Sequence, residues 1–155
     1  MKKVLVLGQT GYIGSQFINE LKHRNLSYRG ISRVNINYTD FSHLYTLLTT
    51  NPFKSFDLVI NCSGYIGRPN VDACEDHKAE TIEGNVVLPK MISDICCDLN
   101  IKYMHISSGC IYDGYGKTYT EEDPPNFCFK TNNGSFYSGC KALAEDLVSK
   151  NNSYI

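Results

Sequence analysis

The first fourteen residues constrain the fold more than any other stretch. Met1-Lys2-Lys3-Val4-Leu5-Val6-Leu7 is a short apolar run that reads as a buried strand. Gly8-Gln9-Thr10-Gly11-Tyr12-Ile13-Gly14 follows at once, and a helical pattern begins there. A strand, a glycine-punctuated turn and a helix in succession make a phosphate-binding unit. Glycines permit the tight turn and a close approach of backbone to ligand, and the helix N-terminus presents free N–H groups with a partial positive charge. The spacing is G-x-x-G-x-x-G, a variant of the G-x-G-x-x-G loop. A glycine turn holding no ligand is the competing reading, which the rest of the chain has to decide.

A strand–helix alternation runs through the remainder. Residues 12–24 carry Ile13, Phe17, Ile18 and Leu21 at helical spacing. Ser27 to Ser32 predicts a second strand, and a helix follows over 40–50 with Asp40 as N-cap. Phe56 to Asn61 predicts a third strand. A long helix over 80–99 comes next, with Pro89 kinking it or marking its first turns. Ile101 to Ser107 predicts a fourth strand, 108–133 a long irregular connection, and 134–150 a last helix, after which Tyr154-Ile155 opens another strand. This order predicts a parallel sheet with helices on both faces, a doubly wound α/β fold. A connection as long as 108–133 inside a compact domain is usually disordered or functional. It begins and ends at the residues that look chemical, which favours function.

Bulk properties remove other classes. The 155 residues suit one domain with a proper core, 42% apolar and 20% charged. A net charge of −1 supports neither nucleic acid nor an anionic membrane as partner. No apolar run approaches the roughly 20 residues that cross a bilayer. The run after Lys2-Lys3 is too short for a signal peptide and lacks a cleavage site, so the expected location is the cytoplasm. The seven cysteines (62, 74, 96, 97, 110, 128 and 140) form no C-x-x-C, and the four histidines are scattered. Free thiols and no metal are expected.

Tyr137-Ser138-Gly139-Cys140-Lys141 is Y-x-x-x-K near the start of the last helix. An i, i+4 pair shares one helix face, and an ammonium there would favour the phenolate, making Tyr137 a usable proton donor or acceptor. The competing reading is an exposed tyrosine beside a solvated lysine. Ser108 follows strand four, at the carboxyl end of the sheet where α/β proteins gather ligands, so its hydroxyl is placed for a substrate carbonyl. A loop hydroxyl or helix cap is the alternative. Ser32-Arg33 ends strand two with no acid adjacent. An acid there selects the ribose 2′-hydroxyl of NAD, whereas a basic group accommodates a 2′-phosphate, so Arg33 favours NADP(H) over NAD(H) unless it points to solvent.

With these motifs in order, the chain resembles the extended short-chain dehydrogenase/reductase superfamily over almost its whole length. Gly8, Gly11 and Gly14 match the cofactor loop of that family. The resemblance implies cofactor contacts from Gly8, Gln9, Thr10, Gly11, Tyr12, Ile13 and Gly14. Asn61-Cys62-Ser63-Gly64 is similar to its N-A-A-G segment, which implies contacts from Cys62, Ser63 and Gly64. Asn37-Tyr38-Thr39-Asp40 resembles a D-x-x-D stretch beside the adenine, with Asn37 in place of the first acid. Ser108, Tyr137 and Lys141 fall where the family places a Ser/Thr-Tyr-Lys triad. The resemblance implies that Tyr137 exchanges a proton with the substrate oxygen, that Lys141 tunes it and bonds the nicotinamide ribose, and that Ser108 holds the carbonyl.

Three segments narrow the resemblance: Gly67-Arg68-Pro69-Asn70-Val71-Asp72-Ala73-Cys74-Glu75, Ser108-Gly109-Cys110-Ile111-Tyr112, and Pro125-Asn126-Phe127 with Gly134 to Ser138. They are similar to bifunctional UDP-4-keto-6-deoxyglucose 3,5-epimerase/4-reductases and, more distantly, to dTDP-4-dehydrorhamnose reductases. Gly109-Cys110 replaces the acidic pair of sugar-nucleotide 4,6-dehydratases, which disfavours elimination of water. The bifunctional enzymes have a cysteine matching Cys110, implying an epimerisation role; a small packed residue is the alternative. The implied whole is one NAD(P)-binding Rossmann domain over 1–155, with the C-terminal substrate domain of the family missing. The implied substrate is a UDP- or dTDP-4-keto-6-deoxyhexose, reduced at C4 in nucleotide-rhamnose synthesis, with a homodimer as the implied assembly. The alternative function is a non-catalytic or truncated NADP-binding module of the same fold.

Overall fold

A computed structural model describes residues 3–50, 56–114, 116, 118–120, 122–151 and 153–155. Met1 and Lys2, expected in the first strand, lie outside the described residues. The elements in chain order are β1 (Lys3–Leu7), α1 (Tyr12–His23), β2 (Ser27–Ile31), α2 (Phe41–Thr49), β3 (Leu58–Asn61), α3 (Lys78–Ile82), α4 (Leu88–Asp98), β4 (Lys102–His105), α5 (Phe136–Val148) and β5 (Ser153–Tyr154). The chain divides into two compact units. One comprises 1–63, 89–106 and 148–155, and the other 64–88 and 107–147.

The first unit is a five-stranded sheet in the order β2-β1-β3-β4-β5, parallel throughout. This is the expected Rossmann-like architecture. Val4, Leu5, Val6 and Leu7 are buried, as the continuous apolar run of a central parallel strand requires. Register places Leu5 beside Val59 and Leu7 beside Asn61. The strand order reverses between β1 and β3, the switch point where doubly wound sheets open a crevice at their carboxyl ends. Asp40 caps α2 as expected, accepting from the His43 amide at 2.9 Å. Asn25 (φ +52°) and Asn100 (φ +54°) end α1 and α4 in the left-handed conformation, with Leu26 N–H bonding Leu21 and Ile101 N–H bonding Cys96. Val4, Leu58, Ile60 and Met104 line a groove of about 810 Å³ on this unit, flanked by Phe17 and Leu21 of α1.

The helix expected over 80–99 begins earlier, at Lys78, and is not uniform. Residues 83–87 take a π-helical register before α4 starts at Leu88. Pro89 has no N–H to donate to a carbonyl one turn back, and the irregularity stands just ahead of it. Described residues of the connection from 108 onward bond one another. The Tyr112 hydroxyl donates to Asp123 O at 2.8 Å, and the Asn126 side chain bonds Asp113 O and the Tyr119 hydroxyl, both at 2.9 Å. Tyr112 stacks on Tyr119. Ile111, Cys128 and Ala142 form a small core beneath it. All seven cysteines are free. No helix is long and apolar enough to cross a membrane among the described residues.

Candidate functional site

In the sheet unit, the turn after β1 is shaped by what its glycines lack. Gly8 has φ +80°, and a Cβ there would lie 3.1 Å from the Cys62 carbonyl carbon and the Ser63 nitrogen. A Cβ on Gly14 would lie 2.2 Å from the Gly8 carbonyl oxygen, closer than any side chain tolerates. Gly11 N–H bonds Gly8 O at 3.0 Å, and Ser15 N–H bonds Gly11 O at 2.9 Å. The amides of Tyr12, Ile13 and Gly14 therefore open α1 with no acceptor inside the helix. Such a cradle fits a pyrophosphate, with Gln9, Thr10 and the exposed Tyr12 and Ile13 around it.

The same unit carries the remaining dinucleotide candidates of its three strand ends. Arg33 is exposed just after β2 and close enough to favour ionisation of the Tyr38 phenol, which burial nonetheless pushes up. Asn37 is exposed and accepts from Thr39 Oγ1 at 2.6 Å. Cys62 is half-buried, and desolvation lifts its thiol to about 11, so it sits as an inert side chain. The Ser63 hydroxyl donates to Asn61 Oδ1 at 2.5 Å.

In the second unit Ser108 and Cys110 lie near Tyr137. Ser108 caps the short 3₁₀ turn Gly109–Ile111, its Oγ accepting from Cys110 N–H at 3.2 Å. Its hydroxyl lies near enough to the Tyr137 phenol to favour the phenolate. Lys141 stands one turn along α5 on the same face and is only 4% exposed. The Cys110 side chain is exposed and near enough to Tyr137 to disfavour its phenolate.

One expectation is corrected here. The Tyr137 phenol is not brought down; burial, the largest influence, holds it above its usual range. Ser108 opposes that rise, and Cys110 and Cys74 add to it. The shift falls on the lysine instead. Desolvation lowers its ammonium to about 8, against an opposing pull from Glu145.

Residues missed in the sequence reading hold this arrangement in place. The Glu75 carboxylate accepts from Phe136 N–H at 2.6 Å, and Ser135 Oγ accepts from Ser138 N–H at 3.1 Å. Two caps thus fix the first turn of α5, where Tyr137 sits. Asn70 caps the 3₁₀ turn Val71–Glu75 that presents Glu75. Gly67 (φ +68°) has no room for a Cβ, which would lie 2.5 Å from Asn70 O. The segment that carried the narrow resemblance thus has a local structural task. Asn85 is buried in the π-helical stretch and clamps Tyr65, accepting from its N–H at 3.1 Å and donating to its C=O at 2.7 Å. Gly64 packs against that clamp, a Cβ there falling 2.9 Å from Asn85 Oδ1. A buried asparagine among apolar helix positions was the available signal.

Against known proteins, the sequence profile of the RmlD substrate binding domain matches residues 1–155. A trifunctional UDP-glucose 4,6-dehydratase/UDP-4-keto-6-deoxy-D-glucose 3,5-epimerase/UDP-4-keto-L-rhamnose-reductase of Arabidopsis thaliana is 34% identical over 154 residues, covering 94% of this chain and 21% of that protein. A bifunctional dTDP-4-dehydrorhamnose 3,5-epimerase/dTDP-4-dehydrorhamnose reductase of the same plant is 33% identical over 152 residues, covering 93% of this chain and 46% of that protein. Among solved structures, a UDP-rhamnose synthase from Acanthamoeba polyphaga mimivirus superposes with a TM-score of 0.78 at 26% identity, over 94% of this chain and 50% of that one. The chain spans half or less of the length of each of these proteins.

Proposed function

The chain belongs to the RmlD substrate-binding domain family, and from that premise we propose that it carries the cofactor and proton-transfer residues of an NADPH-dependent reductase. The proposed substrate is a nucleotide-4-keto-6-deoxyhexose, reduced at its C4 ketone, with 3,5-epimerisation as a second activity. One observation carries this reading: the Ser108 hydroxyl lies beside the Tyr137 phenol, and Lys141 stands one turn further along the same face of α5.

The glycine turn would hold the pyrophosphate of NADP(H), and Arg33 its 2′-phosphate. When bound, the dinucleotide supplies hydride to the carbonyl carbon. Tyr137 gives its phenolic proton to the carbonyl oxygen, and the ketone becomes an alcohol. A phenol kept protonated by burial is in the correct state to donate. Ser108 accepts from Cys110 N–H, and its hydroxyl proton, turned toward Tyr137 here, would swing to the carbonyl oxygen once substrate is bound. Lys141 would hold the nicotinamide ribose, and its ammonium is the proton source that restores the phenol. Cys110, exposed beside Tyr137, is the acid/base residue for the ring proton moved in epimerisation.

The test is to incubate the protein with NADPH and UDP-4-keto-6-deoxyglucose and follow nicotinamide oxidation. Turnover supports the reading. Cofactor binding with unchanged absorbance would instead identify a non-catalytic NADP-binding module. Cys110→Ala should spare reduction of a pre-epimerised ketone and stop conversion of the unepimerised one; equal loss of both would remove the epimerase assignment.

A further inference from the structure

A second polar assembly lies in the sheet unit, and neither the glycine turn nor the proton-transfer residues account for it. Asn61 ends β3 fully buried, and Tyr103 and His105 on β4 are each 1% exposed. Asn61 Nδ2 lies 3.2 Å from the Tyr103 hydroxyl, which lies 3.5 Å from His105 Nδ1. On its other side Asn61 Oδ1 meets the Ser63 amide at 3.1 Å and the Ser63 hydroxyl at 2.5 Å.

The proton order in this chain is forced. A backbone N–H can only donate, so the carboxamide atom facing the Ser63 amide must be the oxygen. The NH₂ end then faces Tyr103, whose phenolic oxygen must accept. Ser63 also faces the carboxamide oxygen, so its single hydroxyl proton is spent inward. Ser63 therefore keeps lone pairs and no proton for anything outside.

We infer that Asn61 and Tyr103 are positioning residues that hold the half-buried Ser63 hydroxyl as an acceptor toward the dinucleotide. This edge of the cradle then takes a hydroxyl or N–H of the cofactor and refuses a phosphate oxygen, which needs a donor. The inference rests on the proposed NADP(H) reading and specifies which part of that ligand Ser63 meets. Ser63 abuts the glycine turn directly, since a Cβ on Gly8 would lie 3.1 Å from its nitrogen.

The test is a set of titrations on the whole chain, with NADPH followed by fluorescence and inorganic pyrophosphate as competitor. Ser63→Ala and Tyr103→Phe should each weaken NADPH about fivefold, the size of one net hydrogen bond. The double variant should be no weaker than the poorer single one, because both act through one path. Pyrophosphate competition should stay unchanged, whereas a merely loosened cradle would weaken both ligands together. Ser63→Ala leaves the Asn61–Tyr103 pair intact and carries the test alone if Tyr103→Phe does not fold. NADPH affinity unaltered by Ser63→Ala, losses that multiply in the double variant, or a parallel loss of pyrophosphate would overturn the inference while leaving the proposed function standing. Failure of the unaltered chain to bind NADPH would overturn both.

Discussion

The glycine turn after β1 and the Ser108–Tyr137–Lys141 group are built by different means. The turn is made of backbone, and it exists because atoms are missing: Gly8 takes a left-handed φ, and Gly14 sits where any Cβ would strike the Gly8 carbonyl. Its neighbours in sequence suffice to form it. The second group is made of side chains from two segments, and its geometry comes from caps supplied at a distance, with Glu75 reaching the first turn of α5. The contrast teaches where each region should fail. A backbone cradle breaks when volume is added, and a side-chain group breaks when a partner is removed.

Tyr137→Phe sharpens the contrast most. It should lower kcat by about 10²- to 10⁴-fold, the range for loss of a positioned proton donor, with NADPH affinity preserved. Steady-state kinetics and a cofactor titration measure the two effects separately, and retained turnover would remove Tyr137 from its role. Gly14→Ala attacks the other region. The added methyl must push the Gly8 carbonyl away, so about 3 kcal/mol of stability should be lost by overpacking, along with NADPH binding. A variant with wild-type melting and affinity would show that the turn is not sterically built.

Lys141→Met separates stability from activity. The lysine titrates at about 8 in the fold against an ordinary 10.5, so between those values the unfolded chain binds more protons and stability rises with pH. Below that window the buried ammonium carries its full desolvation cost. Replacement by methionine should therefore stabilise the chain by about 2 kcal/mol at neutral pH while abolishing reduction, and the gain should shrink as pH rises through the window. Thermal melts across pH decide it, and a gain independent of pH would mean the ammonium is not the cause.

Glu75→Ala should cost about 1 kcal/mol, the loss of one helix cap, together with a several-fold drop in kcat at unchanged NADPH affinity. Asp40→Ala removes the cap of α2 in the other unit. It should also cost about 1 kcal/mol, but with kcat unaltered. If both caps behaved alike toward kcat, Glu75 would be a stabilising cap and nothing more.

Legibility followed the range of the interactions. The Asp40 cap, the glycine turn and the apolar run of β1 are local, so residue type and spacing predict them. Tyr137 and Lys141 were legible as a pair because a helix puts i and i+4 on one face whatever surrounds it. Asn85 and Glu75 were not legible as functional, because each acts on a segment 20 or 61 residues away. The π-helical stretch at 83–87 was hidden for a related reason: Pro89 predicts a disturbance, but not the register the chain adopts to absorb it.

By itself, then, the sequence determined the order of strands and helices, their parallel arrangement, and which residue types stand at the strand ends. These depend on periodicity and on backbone sterics, which act between near neighbours. Only the tertiary structure decided which groups carry protons: the phenol of Tyr137 held neutral, the ammonium of Lys141 brought near 8, and the Asn61 carboxamide turned to face Ser63 with its oxygen. Ionisation and hydrogen-bond direction follow from desolvation and from partners far off in the chain, and those exist only once it has folded.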